Sequence, residues 1–290
     1  MWVLFIFILV LALTSVIAKQ RFRMPSTHRR NQTSSPLPLE TFTGKRILFI
    51  YAHIDDMEGS SGGMVSMISG KANISLLILT NSNKGCSNSL LCNNATTTAD
   101  VTSIRQMEQL NSAAILGISP LNVHFLSYED CLLNTYSSGA LELEIVGYIR
   151  DIKPHIVFTW DPQEYYRMIP DDGWDDLGYH PDHQTSGKLA LNSAWISQLN
   201  LLWPQIGPGW RIEQLYFFSF TPDKSPDYFV DVTGDPFDKK VSAFLQMKSQ
   251  FEPGDEDGIT DWLTLIGQRV ASQVGLKDDR KAEGFVYVLF

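Results

Sequence analysis

The apolar positions of this 290-residue chain follow two alternating periods, which indicate alternating strands and helices. Short β-branched and aromatic runs predict strands at residues 47–51, 73–80, 122–126, 155–160, 213–220, 227–232 and 285–290. Helical spacing predicts helices at residues 63–70, 105–116, 141–152, 180–198 and 235–250. Because strand and helix alternate, we expect a three-layer, Rossmann-like α/β domain with a mainly parallel sheet.

The beginning of the chain does not follow this pattern. Residues 2–18 are almost wholly apolar, so residues 1–18 are interpreted either as a cleaved signal peptide or as a short membrane anchor. Residues 19–43 are rich in Ser, Thr, Pro and basic side chains and are interpreted as a linker. The folded domain is therefore predicted to span residues 44–290.

The apolar run predicts a place in the secretory pathway, either associated with the membrane of the endoplasmic reticulum or secreted. Basic residues follow the run and none precedes it, which would keep the folded domain in the cytosol if the run is an anchor. Glycosylation sequons favour the lumen slightly; they begin at Asn31, Asn73 and Asn94. The topology therefore stays open, and membrane association through this segment is one of its outcomes.

Composition limits the partners of the domain. A formal charge of −9 and the lack of a basic stripe after residue 30 argue against nucleic acid and favour a neutral or weakly polar substrate. Of the three cysteines, Cys86 and Cys92 flank a loop-like stretch and could pair in an oxidising compartment. Cys131 is interpreted as an ordinary small hydrophobe.

Candidate chemistry follows the first strand directly. His53, Asp55 and Asp56 come at its carboxyl end, where open α/β folds place their ligands. His180 and His183 open a later helix, and their spacing puts both on one side of it. Because the loops after parallel strands meet at one edge of the sheet, we expect the two groups to converge. Two histidines and one carboxylate suit Zn²⁺, with a position left open for water.

The remaining histidines are assigned no chemistry. His28 lies in the linker, and His124 and His155 lie within or at the start of strands, so packed or solvent-exposed side chains are expected.

The two groups together resemble the paired signature of the LmbE-like or PIG-L family of zinc-dependent de-N-acetylases. The resemblance rests on Ala-His-Ile-Asp-Asp at residues 52–56 and on His-Pro-Asp-His at residues 180–183, and it covers about residues 44–251. The commonest form of the first motif has Pro where Ile54 stands and Glu where Met57 stands, and neither substitution touches a metal ligand. Further support comes from Arg105 and Glu108 on the next predicted helix.

The resemblance also implies roles for individual residues. The zinc ligands would be His53, Asp56 and His183. Asp55 would be the general base that takes a proton from the attacking water. His180 would support the oxyanion and protonate the leaving amine, and Asp182 is the expected partner that holds and charges its ring.

Arg105 has two interpretations, as a contact to the substrate or as a charge on the helix surface. The implied substrate is a small molecule or glycolipid that contains N-acetylglucosamine, and N-acetylglucosaminylphosphatidylinositol is the leading specific candidate. Pro and Asp between the histidines of the second motif resemble the bacterial sugar-conjugate deacetylases instead.

Two rival functions need other readings of the same residues. Residues 59–63 match GxSxG, which would make Ser61 the nucleophile of an α/β-hydrolase. That motif needs the serine on a sharp turn directly after a strand, but eight residues with three acidic side chains, 53–60, intervene. A catalytically inactive glycan-binding protein on the same fold is the other rival, because a fold alone does not define a function.

Overall fold

The computed structural model describes residues 34–93, 96–163, 180–219, 225–277 and 279–288. Within them the strands are β1 Ser35–Pro36, β2 Arg46–Tyr51, β3 Asn73–Thr80, β4 Val123–Tyr128, β5 Ile156–Trp160, β6 Gln214–Phe218, β7 Tyr228–Asp231 and β8 Ala282–Val288. The α-helices of this part of the chain are α1 Asp56–Ile68, α2 Thr98–Ile115, α3 Ser138–Ile152, α4 Pro181–Ile196, α5 Asp235–Phe244 and α6 Glu256–Gln273.

The strands form one sheet in the order β1-β7-β8-β6-β5-β2-β3-β4. Every neighbouring pair is parallel except the two that β8 makes, with β6 and with β7. This arrangement confirms the predicted α/β fold with a mainly parallel sheet. β2 pairs with β3 on one side and with β5 on the other, so the order of the chain reverses beside β2. In open α/β sheets, ligands bind outside the carboxyl ends of the strands at such a point.

The side chains of β2 show how the three layers are held together. Because successive side chains of a strand point to opposite faces, Ile47 and Phe49 pack in the core layer that also contains residues of α1, α5 and α6. Leu48 and Ile50 pack on the other face, against residues of α3 and α4. All four are fully buried, as expected of a strand covered on both faces.

The fold begins earlier than the boundary predicted at residue 44. β1 pairs with β7, and Leu37 and Phe42 are buried in the core. The Pro-rich composition of residues 34–43 led to their prediction as a linker, although the core buries two of their apolar side chains. Residues 1–33 lie outside the described residues, and so do the predicted apolar segment and most of the linker. No helix in the described part of the chain combines the length and the apolar character needed to cross a membrane.

Helix α1 also begins earlier than predicted, at Asp56. The glycines that suggested a late start lie inside the helix because the helix packs closely on its neighbours there. A Cβ atom at Gly63 would lie 2.7 Å from Val232 Cβ, and one at Gly62 would lie 3.2 Å from Lys240 Cγ. Helix α6 was not predicted at all, and α5 ends at Phe244 rather than near residue 250.

The packing at Gly63 predicts an unusual effect of a Gly→Ala substitution. Gly63→Ala should lower the free energy of unfolding by about 1–3 kcal/mol, because the added methyl overpacks the contact with Val232. The matched control is Gly147→Ala in α3, where a Cβ atom would meet nothing within 4 Å and the better helix propensity of alanine should stabilise the fold. Chemical unfolding of both variants measures the difference, and equal stability would contradict the packing argument.

Candidate active site

The sheet brings the two predicted groups of side chains together at the carboxyl ends of β2 and β5. His53, Asp55 and Asp56 follow β2, while His180 and His183 lie at the N-terminus of α4. All five side chains line one cavity of about 780 Å³. The predicted convergence is therefore confirmed, across more than a hundred residues of sequence.

Three of these side chains point donor atoms at one another. His53 Nδ1 lies 3.1 Å from His183 Nε2, and His183 Nε2 lies 3.1 Å from Asp56 Oδ1. His53 Nδ1 lies 3.8 Å from Asp56 Oδ2. Ligands that bind zinc tetrahedrally at about 2.0–2.2 Å are spaced roughly 3.3–3.6 Å from one another. The three side chains therefore offer the types of ligand that zinc prefers, and their distances of 3.1 and 3.8 Å lie on either side of that range.

Hydrogen bonds fix the orientation of the Asp56 carboxylate. Its Oδ2 accepts the backbone N–H of His53 and the indole N–H of Trp160, each at 2.9 Å. Oδ1 is thereby left facing His183. The Trp160 ring also stacks on the His183 ring, with centroids 4.3 Å apart. Trp160 was missed as a site residue, although its place as the last residue of β5 puts it at the edge where ligands bind.

His53 is held from behind by two carboxylates. Its Nε2 lies 3.2 Å from Asp130 Oδ1 and 3.4 Å from Asp182 Oδ2, which leaves Nδ1 facing His183. Metal-binding histidines usually donate their second N–H to a carboxylate in this way. Burial alone would lower the pKa of His53, but Asp130, Asp182 and Asp56 raise it well above its ordinary value. The position of Asp130 just after β4 is the signal that could have predicted this contact.

Other donor sets lie in the same place. Groups of ligand atoms within 4.8 Å of one another are also formed by His53, His180 and His183, by Asp130, Cys131 and His180, and by His53, Asp130 and Asp182. The last group is the set of contacts that orients His53. A candidate metal site is thus present. In the grouping of His53, Asp56 and His183, the surrounding hydrogen bonds leave atoms that can bind a metal facing one another.

The adjacent aspartates have different environments. Burial would raise the pKa of Asp56, but His183 and His53 beside it hold that pKa well below its ordinary value. Burial raises the pKa of Asp55, and the nearby Arg105 guanidinium only partly offsets this effect. Asp55 also adopts a left-handed backbone conformation with a φ of 100°, and its carboxylate contacts Arg105. A carboxylate with a raised pKa at the edge of a metal site suits general-base chemistry.

Arg105 is buried and holds the turn that carries Asp55. Its Nη2 donates to Asp55 Oδ2 at 2.8 Å and also to the backbone carbonyl of Ile54. The interpretation as a surface charge is wrong, since only 2% of Arg105 is exposed. A contact between Arg105 and the substrate stays a prediction, and Arg105 does line the cavity.

The predicted pairing of Asp182 with the His180 ring is wrong. The Asp182 carboxylate accepts the backbone N–H groups of Cys131 and Leu133, at 2.8 and 3.0 Å, because the chain after β4 passes directly over it. Only the backbone N–H of Asp182 reaches His180, whose Nδ1 accepts it at 3.2 Å. Burial and the neighbouring His53 and His183 together lower the pKa of His180 to about 4, and burial is the largest of these effects. His180 is therefore neutral at pH 7, with its proton on Nε2.

The GxSxG interpretation does not agree with the structure. Ser61 lies inside α1 and is fully buried, with its hydroxyl 3.0 Å from the Tyr51 hydroxyl and 2.9 Å from Ser60 Oγ. A nucleophile elbow instead presents its serine at a turn directly after a strand. Ser61 is a packed core residue.

The cysteines and the remaining histidines lie in different environments. Cys86 and Cys92 form a disulfide, whereas Cys131 is exposed beside His180 and is not the buried hydrophobe expected. His155 is structural, since its Nδ1 accepts the backbone N–H of Arg46 at 3.0 Å. His124 packs beside Tyr148, with ring centroids 5.2 Å apart. Of the remaining predicted features, His28, Asn31 and Asn94 lie outside the described residues.

The fold is that of LmbE-like deacetylases. The chain resembles an N,N'-diacetylchitobiose deacetylase from Pyrococcus horikoshii, at 25% identity and a TM-score of 0.70 over 84% of each chain. It also resembles the 4-carboxy-2-hydroxymuconate hydratase GalB from Pseudomonas putida, at 22% identity and a TM-score of 0.65 over 85% of this chain and 97% of that one. A zinc-inhibited form of the teicoplanin deacetylase Orf2 shares the fold at 14% identity, with a TM-score of 0.54 over 84% and 98% of the two chains.

A family profile gives the assignment. The profile described as PIG-L, GlcNAc-PI de-N-acetylase, matches residues 48–194, and this chain belongs to that family. The match contains His53, Asp56 and His183. A comparison with curated protein sequences gave no match.

The contact between Arg105 and Asp55 predicts a pKa change that can be measured without any substrate. In Arg105→Met the guanidinium charge that lowers the pKa of Asp55 is lost, so this pKa should rise further. Carbon NMR titration of labelled carboxyl groups in the metal-free full chain measures it. Lys84→Met is the control, because Lys84 lines the same cavity but its ammonium is bonded to Glu129. An Asp55 pKa that is unchanged in Arg105→Met would contradict the assignment.

Proposed function

We propose that this chain is a zinc-dependent hydrolase that removes the N-acetyl group from a conjugate of N-acetylglucosamine. The observation that carries the proposal is the grouping of His53, Asp56 and His183, whose ring nitrogens and carboxylate oxygens approach to 3.1–3.8 Å, beside the separate carboxylate of Asp55. Membership of the PIG-L family and the likeness to a chitobiose deacetylase support the reaction and the class of substrate.

Zinc bound by His53, Asp56 and His183 would polarise the acetamide carbonyl and make the attacking water more acidic. The protein supplies the proton transfers. Asp55 takes the proton of the water as general base, and Arg105 holds its carboxylate in place. The amide bond then breaks as the leaving nitrogen gains a proton.

His180 supplies a hydrogen bond on the other side. Because its Nδ1 accepts the backbone N–H of Asp182, the neutral ring carries its hydrogen on Nε2. That N–H can donate a hydrogen bond to the oxyanion that develops on the acetamide, while the proton that Asp55 took from the water passes to the leaving amine. A neutral donor replaces the imidazolium that the sequence suggested.

The finer identity of the conjugate follows the family description. N-acetylglucosaminylphosphatidylinositol is the leading specific candidate, and a disaccharide such as N,N'-diacetylchitobiose is the alternative that the similar structure suggests. The apolar run at residues 2–18 would place the enzyme in the secretory pathway, anchored at the endoplasmic reticulum or secreted.

Acetate release from a panel of N-acetylglucosamine conjugates tests the proposal. The panel contains N,N'-diacetylchitobiose, simple glycosides and the phosphatidylinositol conjugate, each incubated with the purified full chain. Activity should be lost after chelation and restored by zinc. Binding without acetate release in the zinc-loaded protein would instead support the inactive glycan-binding alternative.

The two adjacent aspartates should give different results when each is replaced. Asp56→Ala and His183→Ala should lose zinc together with activity, since each removes a ligand atom. Asp55→Ala should keep its zinc and lower kcat by roughly 10²- to 10⁴-fold, the usual contribution of general acid-base catalysis. His180→Ala should also retain the metal. Elemental analysis and steady-state kinetics measure the two effects separately.

The control for these variants is His124→Ala, which removes a histidine that lies on β4 and packs on Tyr148. It should keep both zinc and activity. If Asp55→Ala loses its zinc while Asp56→Ala retains it, the roles of the two aspartates are exchanged and the proposed mechanism is wrong.

A further inference from the structure

One side of the active-site cavity is apolar. This surface, which we call the apolar wall, consists of Phe218, Phe244, Ile259, Trp262 and Ile266. Three of its members lie on α6, where the spacing of residues 259, 262 and 266 places them on one face of the helix. An apolar face this close to a polar catalytic centre is not required by hydrolysis of an acetamide.

The apolar wall is continuous with the candidate metal centre. Trp160, which donates to Asp56, packs edge-to-face on Phe218 with ring centroids 5.5 Å apart. Phe244 and Trp262 pack on each other, also with centroids 5.5 Å apart. A Cβ atom at Gly59, one turn into α1, would lie 3.5 Å from Phe244. The cavity thus offers an apolar surface directly beside the metal centre, within reach of a group attached to a sugar bound there.

The charges in the cavity also limit what that next group can be. Among the described residues that line the cavity, the two long cationic side chains are Lys84 and Arg105. Lys84 is bonded to Glu129, and Arg105 is bonded to Asp55. Neither of these two cations is thus available to a phosphate without breaking an existing ion pair, and charge-assisted hydrogen bonds from such cations are the strong contacts to phosphate.

We infer that the group attached to the N-acetylglucosamine of the substrate is uncharged and apolar, such as an alkyl or aryl aglycone, and that Trp262 and Ile259 bind it. This inference rests on the proposed function and specifies its substrate class. The Trp262 ring and the branched Ile259 side chain offer a large apolar area and have few rotamers to fix. Such a surface suits the binding of an alkyl or aryl group. The inference therefore favours such an aglycone over N-acetylglucosaminylphosphatidylinositol, the candidate taken from the family description, because the inositol attached to the sugar in that conjugate is polar.

A series of alkyl N-acetylglucosaminides tests the inference. The methyl, butyl and hexyl glycosides are titrated by calorimetry into the full chain carrying Asp55→Ala, which prevents turnover. Affinity should rise with chain length, by up to about fourfold per added methylene if each is fully buried. In Trp262→Ala on the same background the increase should largely disappear, while the affinity for the methyl glycoside should change little.

Matched variants separate this effect from general damage to the fold. Trp195→Ala removes a tryptophan that is 52% exposed on α4 and does not line the cavity, so it should leave the dependence on chain length intact. Ile259→Thr, a smaller change on the same wall, should weaken the dependence without removing it. Circular dichroism confirms that each variant is folded.

The outcomes distinguish this inference from the proposed function. Affinities independent of chain length, or a dependence on chain length that is undiminished in Trp262→Ala and in Ile259→Thr, would overturn the inference. A phosphoinositol conjugate that binds more tightly than the hexyl glycoside would overturn it too. Binding and acetate release are measured separately. If the hexyl glycoside binds through Trp262 but the chain with Asp55 intact releases no acetate from it, the apolar site is supported and the deacetylase function is rejected.

Discussion

The candidate site depends on the different partners of the two oxygens of the Asp56 carboxylate. Oδ2 accepts N–H groups from the end of β2 and from Trp160 at the end of β5, and Oδ1 faces His183 on α4. One side chain thereby joins three elements that are distant in sequence. A buried carboxylate with a single partner would be costly, but two neutral donors and two imidazoles keep this one ionised. The same contacts that stabilise the charge therefore point its free oxygen at the place where a metal would sit.

The turn after β2 explains how the neighbouring Asp55 and Asp56 can have different chemical roles. A φ of 100° at Asp55 is unfavourable for a side chain with a Cβ atom, so the surrounding contacts must hold it. Arg105 does so from α2, bonding both to the Asp55 carboxylate and to the carbonyl before it. The two neighbouring carboxylates thus have different partners, with Asp56 beside His183 and Asp55 beside Arg105.

The sequence predicted the parts of this site that depend on chain direction. His53 and His183 follow strand ends, and parallel strands bring such ends together whatever the detailed packing. It failed where the outcome depends on which way a side chain turns. Asp182 was expected on the His180 ring, but a polar residue next to a helix N-terminus can instead bond to a passing backbone, and the loop after β4 supplies two N–H groups. Trp160 was missed because an aromatic residue in an apolar run is indistinguishable from core.

The error in the predicted start of α1 has the same cause. A glycine that ends a helix and a glycine that allows a close neighbour cannot be distinguished in a sequence. The neighbours concerned are Val232, directly after β7, and Lys240 on α5, both beyond the stretch that matches the PIG-L profile. The apolar wall comes from that later stretch too, on β6, α5 and α6. The residues proposed for catalysis and those inferred to bind the aglycone thus lie on separate segments, joined by the contacts of Trp160 and Gly59. Substitutions in the later segments can therefore change the aglycone that is accepted without altering the metal site, because no proposed ligand or proton-transfer group lies on them.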